Sequence, residues 1–176
     1  MFPRIRRARP FAQACATALL ATALGMATRA GAAPAEPAQI AVIAGDAVVA
    51  ARFDGDALGA IFRRRIMLDA AGRPYIPVNL PPAHPLRRMF SEALFAMQPE
   101  DMDAYWNEQY FQGISPPYVV ASIDAMVRFV TATPGAIGYV LDCQVATSVT
   151  VVLRLPVPAA FRSAAAALCA GSAAAR

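Results

Sequence analysis

The sequence predicts an α/β domain in which a mixed or parallel sheet carries helices on both faces. Three observations support that prediction. Short apolar runs of strand length alternate with stretches whose apolar residues recur at helical spacing, the order that builds layered α/β folds. The 176 residues suffice for one domain and would be cramped for two, and a 57% hydrophobic share, although inflated by alanine, supplies a real core. No internal repeat is visible.

The chain opens with a basic start (Arg4, Arg6, Arg7 and Arg9), an apolar run over 11–26 and a small-residue site at Ala30-Gly31-Ala32. These are the three parts of a secretory signal, with cleavage expected after Ala32. The expected organisation is a signal peptide over 1–32, a leader over 33–39, a domain over 40–155 and an Ala/Pro-rich tail over 156–176. The apolar run is shorter than the roughly 20 strongly apolar residues of a spanning helix, so no stable membrane anchor is predicted. Cys15 lacks the aliphatic residue three positions ahead that a lipid-attachment site would want.

The formal charge of +4 is a property of this first segment. Without the five arginines before residue 33, eleven arginines face twelve acids, a net charge of −1. No polyanion-binding surface follows, and nucleic acid is not an expected partner.

Residues 40–44 and 48–50 read as a buried strand and its continuation, with Gly45-Asp46 as a turn or bulge between them. Asp54 can cap a helix at its start while Phe53 packs on Leu58, and Leu58, Ile61 and Phe62 form the inner face. Arg63, Arg64 and Arg65 end it as a solvated cap that complements the negative helix terminus, in preference to a binding patch. Residues 69–74 carry turn chemistry around Gly72. Residues 75–80 form a short strand, whose prolines place it at a sheet edge or end.

Pro85 suits the first position of the next helix, with Leu86, Met89 or Phe90, and Leu94 facing inward and Arg88 paired with Glu92 outside. Pro99, Glu100 and Asp101 open another, and Gly113 can close it. Its stripe of Met102, Tyr105, Trp106, Gln109 or Tyr110 reads as core, with an aromatic ligand platform as the alternative. Residues 115–119 read as a loop. Ser122 caps a helix whose Ile123, Met126, Val127 and Val130 fit the i, i+3, i+4, i+7 pattern. Thr133-Pro134-Gly135 stops it, and strands follow over 136–141 and 148–153. The tail over 159–170 can form a short helix if packing supports it.

Cys143 and Cys169 would meet an oxidising compartment after export. Two readings stand: a disulfide tying the tail to the strand region, or two small buried hydrophobes. One histidine and two cysteines make neither a metal cluster nor a Cys and His nucleophile pair, so no metal, no cofactor and no catalysis are predicted.

Five segments carry a resemblance: ALGAIFRRR at 57–65, YIPVNLP at 75–81, PLRRMF at 85–90, YWNEQYFQG at 105–113 and, most specifically, TPGAIGYV at 133–140. In order and approximate spacing the chain resembles the substrate-binding proteins of phosphate ABC transporters, in particular their short single-lobe relatives, over about residues 40–155. The resemblance implies a single lobe of the type 2 periplasmic-binding-protein fold and a periplasmic, non-catalytic role in solute binding. The implied ligand is a small oxyanion such as phosphate. A partner lobe, a second copy in a homodimer, or an ABC transporter permease would be the implied protein partners.

Full-length members close two lobes on phosphate, with a serine-glycine-threonine turn at a helix N-terminus in the lobe resembled here. The equivalent place in this chain is Ala83-His84-Pro85-Leu86, and Asn79 and Leu80 stand where such proteins supply an arginine. The expected anion site is therefore the start of the helix at Pro85, touched by His84 and by Arg87 or Arg88. Binding there would be weak and stronger at about pH 5.5 than at about pH 8, since imidazole charges below about 6.5. The competing reading has His84 merely capping the helix while both arginines point to water. A second functional reading, from a different class, is an accessory or protein-interaction module that kept the fold and lost ligand binding.

Overall fold

Strand β4, Ala136–Leu141, is buried along its whole length because both of its faces are covered by helices. The computed structural model describes residues 38–45 and 53–174. The predicted signal peptide, most of the leader and the strand continuation at 48–50 lie outside the described residues.

The sheet has five strands in the order β3-β2-β4-β1-β5. β1 (Gln39–Ala44) runs antiparallel to β4, with Ile40 opposite Leu141. On its other side it pairs antiparallel with β5 (Thr150–Pro156), with a bulge between Val42 and Ile43. β2 (Ile76–Asn79) runs parallel to β4, and β3 (Tyr118–Val119) parallel to β2. The sheet is thus mixed, as predicted.

Side chains alternate across a strand, so the two faces of β4 meet different helices. On one face lies Gly138, where an added Cβ would collide with Met126 and Val130 of α4 (Ile123–Ala132). On the other lies Tyr139, against α1 (Gly55–Phe62) and α2 (Pro85–Phe95). Phe90 stacks on Tyr139 with ring centres 3.8 Å apart, and Phe62 meets Phe90 edge-on at 4.8 Å. Each such side chain contributes roughly 2 to 3 kcal/mol by leaving water, and each aromatic pair about 1 more.

Local chemistry behaves as predicted at several ends. Asp54 Oδ1 accepts from the Ala57 N–H at 2.7 Å, and Leu58, Ile61 and Phe62 are buried. Phe53, expected against Leu58, sets its ring edge-on to Tyr75 at 5.8 Å. Asp69 accepts from the N–H groups of Ala71 and Arg73, and Gly72 takes φ 78°.

Four expectations are corrected. First, β2 is interior. Ile76 donates its N–H to Gly135 of the β4 side, so alternation turns the Pro77 nitrogen toward β3, which begins pairing only at Val78. The missing N–H therefore costs no ladder bond. Second, the arginine run is more than a solvated cap. Arg63 lies over the Phe95 ring at 4.6 Å, Arg64 donates to the Tyr75 carbonyl at 3.1 Å, and Arg65 lies over Tyr105 at 5.8 Å.

Third, Arg88 pairs with Glu100 at 2.6 Å, while Glu92 accepts instead from Gln98 Nε2. Fourth, the aromatic stripe is not core. A 3-10 turn at Pro99–Met102 buries Met102, but α3 (Asp103–Phe111) has no buried residue, and Phe111 is 89% exposed. With α1, α2 and α4 on the sheet faces, α3 is left at the margin. Tyr105 and Trp106 are half-buried, and the Tyr105 hydroxyl donates to the Arg63 carbonyl at 2.6 Å. Within the predicted loop over 115–119, two residues pair as β3.

After β5 a 3-10 turn at Ala159–Phe161 leads into α5 (Arg162–Ala174), a helix longer than predicted. Ala165 is wholly buried, so the tail packs on the core rather than trailing from it. No helix among the described residues is long and apolar enough to cross a membrane.

Candidate functional site

Because β2, β3 and β4 are parallel, their carboxyl ends share one edge of the sheet, and α2 and α4 both begin there. Ligands of open α/β sheets lie beyond that edge. An open cleft of about 970 Å³ occurs at this place. Its walls are the start of α4, the β4–β5 connection at 144–147, and α5, with His84 from the start of α2.

Each wall is held by identifiable bonds. Ser122 Oγ accepts from the Ala125 N–H at 3.1 Å, as its N-cap role predicts. The first-turn N–H groups of Ile123 and Asp124 have no helical carbonyl within reach. Cys143 and Cys169 form a disulfide, their Cα atoms 5.8 Å apart, so the pairing reading holds. Gln144 adds a second clasp, accepting from the Leu141 N–H at 3.2 Å and donating to Ser172 Oγ at 2.9 Å. α5 is thereby fixed as a wall of the cleft.

His84 is the N-cap of α2, its Nδ1 accepting from the Leu86 N–H at 3.1 Å. That bond puts the imidazole proton on Nε2. Burial lowers the His84 pKa from its ordinary 6.5, which also favours the neutral ring. Pro85 has no N–H and Leu86 spends its own on His84, so the first turn of α2 offers an anion little of its usual cradle.

The structure does not gather the three predicted site residues at one point. His84 lines the cleft. Arg87 is 7% exposed and donates through Nη1 to Asn79 Oδ1. Asn79 Oδ1 also accepts from the Tyr139 hydroxyl at 3.4 Å, and that hydroxyl accepts from the Leu80 N–H at 3.1 Å. Burial raises the Tyr139 pKa above 10.0, with the Arg87 charge opposing it. This network fastens the first turn of α2 to the end of β2. Arg88 lies on the outer side with Glu100.

Sequence reasoning missed most of the cleft. Ser122 was legible as a cap, and its position after a strand could have marked this edge, but β3 is too short to show periodicity. Val127 was legible only as part of a helix's apolar face, and Arg128, Val145 and Leu168 carry no motif. No group of three His, Cys, Asp or Glu side chains suited to a metal occurs among the described residues.

No family model matches the chain, and no curated protein matches it significantly. Solved structures do. An ABC-type phosphate transport receptor from Vibrio cholerae is similar at 15% identity and a TM-score of 0.53, over 66% of this chain and 46% of that one. A putative phosphate ABC transporter substrate-binding protein from Clostridium perfringens, solved with bound phosphate, is similar at 16% identity and a TM-score of 0.52, over 66% and 45%. This chain thus spans just under half the length of each. The likeness, with the five-stranded mixed sheet and its flanking helices, establishes the fold as a single lobe of the kind found in these phosphate-transport binding proteins.

Proposed function

We propose that this chain is an exported, non-catalytic solute-binding lobe that takes its solute by an oxyanion group, phosphate or carboxylate, at the carboxyl edge of β2, β3 and β4. The observation that carries the reading is the coincidence of the cleft with that edge in a fold shared with phosphate-transport binding proteins. His84 contacts the anion through its neutral Nε2–H, and Arg128 of the cleft supplies the cation. Arg87 is a positioning residue that holds His84 in place through Asn79. Arg88 stays with Glu100 outside the contact.

The protein partner of this lobe is the other half of a clamp, a separate lobe or a second copy, or else a transporter permease. Amide NMR titration of the full chain with inorganic phosphate is the test. Shifts at His84 and over 122–124 support the reading, and unchanged spectra through about 10 mM overturn phosphate as the solute. Export predicts secreted material whose N-terminal residue is Ala33.

A second reading, an interaction module, is favoured by the exposure of Tyr110, Phe111, Tyr118 and Val119. Native mass spectrometry of exported protein separates the two: a bound small solute favours the first, and a solute-free complex with another protein favours the second.

A further inference from the structure

The charges lining the cleft cancel among the described residues. Asp124 and Arg128 both face it from α4, one turn apart, and neither belongs to the ion pairs Asp69–Arg73, Arg88–Glu100 or Asp142–Arg154. His84 is held neutral by its cap bond. A bare phosphate dianion would therefore meet no net positive charge, and it would fill little of a cleft of about 970 Å³. The remaining lining is largely apolar or small: Val127, Val145, Ala146, Ala167 and Leu168. Sites for small organic molecules combine such a wall with a few convergent polar groups.

Resting on the oxyanion reading above, we propose that the solute is a small zwitterion with an apolar side chain, of the class of aliphatic α-amino acids. Its carboxylate meets Arg128 and His84 Nε2–H, and its ammonium group meets Asp124. Residues four apart on a helix have Cβ atoms about 5 to 6 Å apart, a separation that long and short side chains can close on two charges borne by one carbon. The aliphatic chain lies along Val127, Val145 and Leu168. α5, latched by Cys143–Cys169, is the outer wall of the cleft.

The test is titration calorimetry on the full chain at about pH 7 with L-leucine, 4-methylpentanoate and inorganic phosphate, where the carboxylates are charged and His84 neutral. L-Leucine is expected to bind about tenfold tighter than either of the others, the yield of one charge-assisted pair. Asp124→Asn should weaken leucine and leave 4-methylpentanoate bound no more weakly than before, so that the preference for leucine is lost. Gly171→Leu should weaken leucine binding without lowering the thermal melt, because an added Cβ meets open space at a helical residue that lines the cleft.

Phosphate binding tighter than leucine overturns the zwitterion and leaves the oxyanion reading standing. An Asp124→Asn protein that keeps its preference for leucine also overturns it. Absence of binding by all three overturns both readings.

Discussion

His84 accepts through Nδ1 the N–H of Leu86, two residues on, and so serves α2 as a neutral acceptor. Burial also lowers its pKa, which limits the imidazole charge from which stronger anion binding at low pH was expected. Protonation at Nδ1 would break the cap, so the capped ring carries its proton on Nε2.

The folded-state pKa of His84 lies below its ordinary 6.5. A depressed pKa means the unfolded chain binds the proton more readily. The stability from this residue is therefore complete above 6.5 and is lost as pH falls through the folded value. Urea unfolding across that range should show the decline, and His84→Ala should flatten it while costing about 1 kcal/mol at neutral pH through the lost cap.

Asn79 is the acceptor that Arg87 depends on, and among the described residues no carboxylate pairs with the guanidinium. Asn79→Ala leaves a buried charge without its acceptor and should cost about 3 kcal/mol, whereas Arg87→Met removes the charge itself and should cost less. A double-mutant cycle measured by urea unfolding should show the two effects to be non-additive.

The Cys143–Cys169 bridge closes a loop of sequence separation 26. Replacing both cysteines by serine should lower stability by about 3.5 kcal/mol in the chain-entropy model. Hydrogen exchange should speed first in α5, which then keeps only Gln144–Ser172 and its own packing as ties.

At Gly138 the α4 side chains leave no room for a Cβ. Gly138→Val should cost about 2 to 3 kcal/mol by overpacking. Shortening the neighbour in a Met126→Ala, Gly138→Ala double variant should cost less than the sum of its single changes, because one cavity accommodates the other's methyl group. Thermal melts of the three proteins decide it.

What could be read from the chain alone was whatever is settled within a few residues. Asp54 and Ser122 were recognisable as caps, Pro85 as a first helical residue, and Gly72 as a turn, because each answers to backbone groups three or four positions away. The strand and helix order followed from periodicities that the core then satisfied, while the single lobe was what the resemblance implied. The tertiary structure decided what lies between elements: that β2 sits inside the sheet, that α3 is marginal, and that Arg88 finds Glu100. It also decided the cleft, whose lining comes from His84, 122–128, 144–147 and 167–172. No local pattern records such a meeting, since sheet order and the disulfide, not spacing along the chain, bring those segments together.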